Sequence, residues 1–99
     1  MPEQVYDPRV IRGIVLHILK AYSEPSDSNE KEIEDTLPYL LLPNVDRPVR
    51  EQAAVCTRLW LGLKHRDPIR HRRLIFYRLR HLDIALEKLN QMTRPKKVR

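Results

Sequence analysis

The sequence is poor in the residues that build turns, staples and membrane spans. It has only two glycines, Gly13 and Gly62, in 99 residues. That excludes a glycine-rich phosphate loop and leaves few positions for the left-handed backbone that tight hairpins demand. It has one cysteine, Cys56, so no internal disulfide is possible and no oxidising compartment is needed. Its apolar neighbours mark Cys56 as a small buried hydrophobe. No uninterrupted apolar run approaches the length of a membrane span, and Met-Pro-Glu-Gln lacks the basic-then-apolar order of a signal peptide. The expectation is no membrane partner and a cytoplasmic location, or a nuclear or viral equivalent.

Catalytic patterns are equally scarce. His17, His65, His71 and His81 have no cysteine at zinc-finger spacing and form no His-Glu-x-x-His. His65 and His71 also sit among arginines, whose charge opposes a cation. The carboxylates of 24–35 lack a histidine or serine arranged for acid-base or nucleophilic work. The expectation is no enzyme, no metal and no cofactor.

What is present is charge, unevenly placed. The net charge is +6. Residues 1–22 contribute +1 and residues 23–46 contribute −6. Residues 47–99 carry fifteen Lys or Arg against Glu51, Asp67, Asp83 and Glu87, for +11. A concentration of that size favours a polyanionic partner, although a merely solvated basic surface has the same composition. An apolar content of 41% is that of a folded chain. The length allows one core, so the expectation is one helical domain over 1–93 and a basic tail over 94–99.

Eight prolines divide the chain. Asp7-Pro8 reads as a helix start, with aspartate capping and proline at the first helical position. Ile11, Ile14, Val15, Ile18 and Tyr22 then follow helical spacing, predicting a helix from Pro8 to Tyr22. Gly13 inside it either admits a close neighbour or has no special role. After a polar loop at 23–28, Asn29 and Glu32 resemble a capping box and predict a short acidic helix from Glu30 to Thr36. The acids suit the positive end of that helix. They would serve equally as a site for a basic partner or as a shield for the chain's own basic face. Pro38 separates a second short turn over Leu37–Leu42. Asp46 then caps a helix from Arg47 to Leu63. Its buried stripe is Val49, Ala53, Cys56, Leu59, Trp60 and Leu63. Its outer surface offers Arg47, Arg50, Gln52, Thr57 and Arg58.

The stretch 49–79 contains the only Trp, the only Phe, the only Cys and the densest cluster of Arg and His. Beyond Gly62 two structures fit. In one, Asp67-Pro68 starts a long helix over about 68–92, with Ile75, Leu79, Leu82, Leu86 and Leu89 as its seam. In the other, 64–66 and 72–79 are strands of a hairpin. The block Leu74-Ile-Phe-Tyr77 suits a strand, and a helix then begins near Arg80.

The second structure resembles winged helix-turn-helix regulators of the MarR-, ArsR- and PadR-like groups. Leu59-Trp-Leu-Gly-Leu-Lys-His-Arg66 resembles the end of their recognition helix. Arg70-His-Arg-Arg73 resembles the wing, Phe76-Tyr-Arg-Leu79 the returning strand, and Ile84-Ala-Leu-Glu-Lys-Leu89 the terminal helix. The resemblance implies a mainly α fold of three to four helices with a small β-hairpin wing, acting as a transcriptional regulator on duplex DNA. Arg47, Arg50 and Gln52 would then read bases at the start of the helix, and Thr57 and Arg58 would reach backbone or flanking bases. Lys64, His65, Arg66, Arg70, His71, Arg72 and Arg73 would supply the basic segment and wing. Such regulators dimerise, which implies a homodimer through Leu82, Leu86 and Leu89; the same stripe serves equally as core. The competing expectation is an all-α four-helix domain with a long C-terminal helix. That domain would be an interaction module, or a subunit or inhibitor within a larger nucleoprotein assembly on DNA or RNA.

Overall fold

Asp7 opens the first helix as its residue type requires. Its carboxylate accepts the Arg9 amide at 2.8 Å, and Pro8 occupies the first turn of α1 (Pro8–Ser23). The Asp7 carboxyl is held below its ordinary range by that backbone bond first, and by the Arg9 side chain second. In this computed structural model the described residues are 7–24, 26–64, 69–70 and 72–95. They form four α-helices: α1, α2 (Asp27–Thr36), α3 (Arg47–Lys64) and α4 (Arg72–Thr93). A short 3-10 helix, Leu37–Leu41, follows α2 directly. The described residues are 85% helical, with no strand among them.

α2 begins earlier than the Asn29–Glu32 pattern predicts. Ser26 is its cap, accepting the Asn29 amide at 3.1 Å. Asn29 lies inside the first turns and turns its side-chain amide back to the Glu24 carbonyl. Asp27 and Glu30 sit in the first turn, where helix polarity favours them. Pro38 does not stop the chain; it tightens it into the 3-10 helix, which carries Leu37 and Leu40 into the core.

One core joins all these elements. Ile11, Val15, Ile18 and Ala21 come from α1, and Ile33 from α2. Val49, Ala53 and Cys56 come from α3, and Leu82, Ala85, Leu86 and Leu89 from α4. Leu59, Trp60 and Leu63 are half-buried against it. The leucines expected to pair two copies are therefore core. Leu82, Leu86 and Leu89 are buried within their own chain and leave no dimer surface on that stripe.

α4 corrects the hairpin reading. Residues 72–79 are helical, not a strand. Ile75 and Arg78 are half-buried on the side that continues to Leu82, while Phe76 and Tyr77 lie off that side and are exposed. α1 runs antiparallel to α4 and ends level with Asp83, to which the Tyr22 hydroxyl donates. At the other end, Arg12 Nη1 donates to the Asn90 carbonyl at 2.8 Å and Oδ1 at 2.6 Å, and reaches Thr93 Oγ1 at 3.2 Å. α1 thus covers only the second half of α4, and α3 alone flanks the first. There the Arg78 guanidinium lies over the bare α-carbon of Gly62, where a Cβ would collide with it.

Two consequences are measurable. Nothing lies within 4 Å of a Cβ built on Gly13. Gly13→Ala should therefore stabilise the fold by up to about 1 kcal/mol in urea denaturation, through helix propensity. Burial lifts the Cys56 thiol from its usual 9.0 to about 11. The protonated thiol is thus favoured in the folded state, and its contribution is complete below the unfolded value. Stability should fall as pH rises from about 9 to 11, and Cys56→Ala should reduce that loss in denaturation curves taken across the range. Tyr22, raised by burial and then by its bond to Asp83, contributes with the same sign at higher pH.

Candidate functional site

α3 presents fewer polar groups to solvent than its composition implies. Gln52 is only 9% exposed, and its Nε2 donates to the Ala85 carbonyl at 2.9 Å. It is not an outer-surface residue able to read a base, because position 52 faces α4 beside Ala53. Its amide serves as a buried tie between the two helices. Thr57 is half-buried and donates its hydroxyl to the Ala53 carbonyl at 2.8 Å, one turn back. Arg47 is exposed, with Nε 2.9 Å from Glu51 Oε1 one turn along. Arg50 is half-buried, and its Nε is shielded from solvent without a hydrogen-bond partner. Arg58 is exposed.

The first half of α4 is different. Arg72, Arg73, Phe76, Tyr77 and Arg80 are all exposed. The helical step sets them in two adjoining rows: Arg72, Phe76 and Arg80 at intervals of four, and Arg73 with Tyr77. Phe76 is 62% exposed and Tyr77 60%. Their rings meet edge to face, with centroids 5.9 Å apart and planes at 75°. A shallow concavity of about 590 Å³ lies here, lined by Arg72, Arg73, Ile75, Phe76, Tyr77 and Leu79. No ion pair among the described residues involves Arg58, Arg72, Arg73 or Arg80. Arg70 is exposed just ahead of the helix. His65, Arg66, His71 and the side chain of Lys64 lie outside the described residues.

The acidic segment does not cover this face. α2 packs on α1 and the 3-10 helix and makes no contact with α4. Its Glu32 pairs instead with His17 of α1 at 3.0 Å.

Phe76, Tyr77 and Arg80 are the residues that sequence reasoning missed. The spacing of four from Arg72 through Phe76 to Arg80 was the available signal, and it exists only in the long-helix structure, one of the two that fitted the sequence. Among the described residues no group of three His, Cys, Asp or Glu converges as metal ligands would. Nor is any helix among them long and apolar enough to cross a membrane. The buried Cys56 thiol, with its pKa pushed up, is a poor nucleophile. The chemistry this surface offers is recognition: planar cations for phosphate and exposed rings for flat apolar groups.

No family model matches the sequence, and no curated protein or solved structure matches it either.

The placement of Gln52 has a direct test. Gln52→Ala removes the side-chain donor to the Ala85 carbonyl, which keeps its bond within α4, and should cost about 0.5–1.5 kcal/mol in chemical denaturation. The affinity of the folded variant for nucleic acid should match that of the unaltered chain. Weakened binding at unchanged stability would make Gln52 a base reader after all.

Proposed function

We propose that this chain is a small all-α nucleic-acid-binding module, acting as a subunit or accessory of a nucleoprotein assembly. It contacts the phosphate backbone through the first half of α4. The observation that carries this reading is the exposure of Arg72, Arg73 and Arg80 on one face, none of them in an ion pair among the described residues.

Helix polarity strengthens the argument. The first turn of α4 contains no acid and begins with Arg72 and Arg73. Cations at that end oppose the macrodipole, typically by about 0.3–1 kcal/mol each near the surface. α2 obeys the rule with Asp27 and Glu30, whereas α1 and α3, like α4, have no acid in the first turn. An approaching phosphate turns the unfavourable arrangement into a favourable one, since it meets both the guanidinium groups and the positive helix end.

A duplex regulator reading bases through α3 has less support. Gln52 is committed to Ala85, and Arg47 is paired with Glu51. No wing strand occurs among the described residues.

The test is binding of the full chain to labelled oligonucleotides by fluorescence anisotropy across a salt series. Reversal of Arg72, Arg73 and Arg80 to glutamate should weaken binding strongly. It should also flatten the dependence of log K on log salt, by roughly 0.7 to 0.9 for each phosphate no longer neutralised. Binding that survives the reversal with the same slope would overturn this reading.

A further inference from the structure

The arginines of α4 account for attraction to any polyanion. They do not account for the two rings between them. Consecutive helical residues point about 100° apart, so an amphipathic helix that packed one of these rings into the core would turn its neighbour away. Here both are more than half exposed. Adjoining exposed rings rimmed by charged residues are the kind of apolar surface that marks a binding site.

The placement limits the partner. Arg72 and Arg80 lie one helical turn to either side of Phe76, and Arg73 lies one turn before Tyr77. Each aromatic residue therefore has an arginine one turn away on its own row, at a pitch of about 5.4 Å per turn. A ligand that uses both features must repeat an anion and a flat, π-faced group at close intervals. A single nucleic-acid strand does this. In a duplex the base faces are already stacked, and opening them for a ring costs a few kcal/mol per step.

We infer that the first half of α4 binds single-stranded nucleic acid. Arg72, Arg73 and Arg80 engage successive phosphates, and Phe76 and Tyr77 stack on unpaired bases. The inference rests on the nucleic-acid reading above and gives it a substrate class. Sequence discrimination is not expected, because stacking accepts any base.

The experiment uses the full chain and three labelled probes of equal length: oligo-dT, a blunt duplex, and an oligo-dT strand in which bases are replaced by abasic linkers. At one salt concentration the intact single strand should bind more tightly than the duplex. Phe76→Ala and Tyr77→Ala should each lower its affinity by roughly 5- to 150-fold, the range for removal of one stacking partner. The salt slope should stay unchanged, because no charge is removed. Tyr77→Phe should restore binding. The abasic strand should bind weakly and be indifferent to both alanine substitutions, a comparison that needs no variant to fold. Equal affinity for all three probes, or alanine variants that bind like the original chain, would overturn the stacking inference while leaving the phosphate reading intact. Failure of every probe to bind at low salt would overturn both.

Discussion

The burial of Leu82, Ala85, Leu86 and Leu89 between α1 and α3 is the contact on which the rest of this structure depends. α4 is 22 residues long, about 33 Å at the usual rise. Only its second half has a neighbour on both sides. The Tyr22–Asp83 and Arg12–Asn90 bonds fix α1 along that half, and Gln52–Ala85 fixes α3 across it. Because α1 ends at Ser23, level with Asp83, the first turns of α4 extend past the three-helix core. The exposed rings and arginines follow from that mismatch in length. The same helix is an anchor at one end and a presenting arm at the other.

Charge is sorted along the same division. The acids of α2 lie against α1, where Asp27 and Glu30 stabilise their own helix start and Glu32 meets His17. They do not reach α4. Had the acidic segment folded over the basic one, the two would have neutralised each other within the chain. Separate faces leave the basic field of α4 without neutralisation by α2, with a reach of about 10 Å at ordinary salt. The acidic segment therefore reads first as helix capping. The idea that it shields the basic surface fails on geometry.

Much of this was legible in the sequence wherever a residue's role is set by its near neighbours in the chain. Asp7-Pro8 gave the start of α1, and the spacing from Ile11 to Ile18 gave its buried face. The stripe Val49, Ala53 and Cys56 located the core side of α3. Errors arose where the partner is distant in sequence. Gln52 has a polar side chain among apolar positions, and only the position of Ala85, 33 residues on, shows that it faces inward. The stripe Leu82, Leu86 and Leu89 has the same pattern whether it meets a second copy or its own α1 and α3. Leu74-Ile-Phe-Tyr77 suggested a strand because helical periodicity records burial on one side. The seam Ile75, Leu79 and Leu82 kept helical spacing, but Phe76 and Tyr77 fall off it and are exposed, so the block fitted either structure. The residues that matter most for the candidate site were therefore the least readable by hydrophobic pattern.

The chemistry of the cations narrows what that protruding segment meets. Between residues 66 and 80 the chain uses arginine six times and lysine never, whereas Lys88, Lys96 and Lys97 appear further on. For solubility alone the two are nearly equivalent, and a solvated face would be expected to mix them. They differ in that the guanidinium is planar, weakly hydrated, able to grip phosphate with two parallel bonds and able to stack on a flat ring. Arg72 and Arg80 bracket Phe76 on one helical row. The arginine planes and the aromatic faces can thus form one continuous surface for a ligand that is itself alternately anionic and flat. Lysine would satisfy the charge and forgo the stacking. The use of arginine beside exposed aromatics fits the proposed contact with bases and phosphates, in which lysine would supply charge alone.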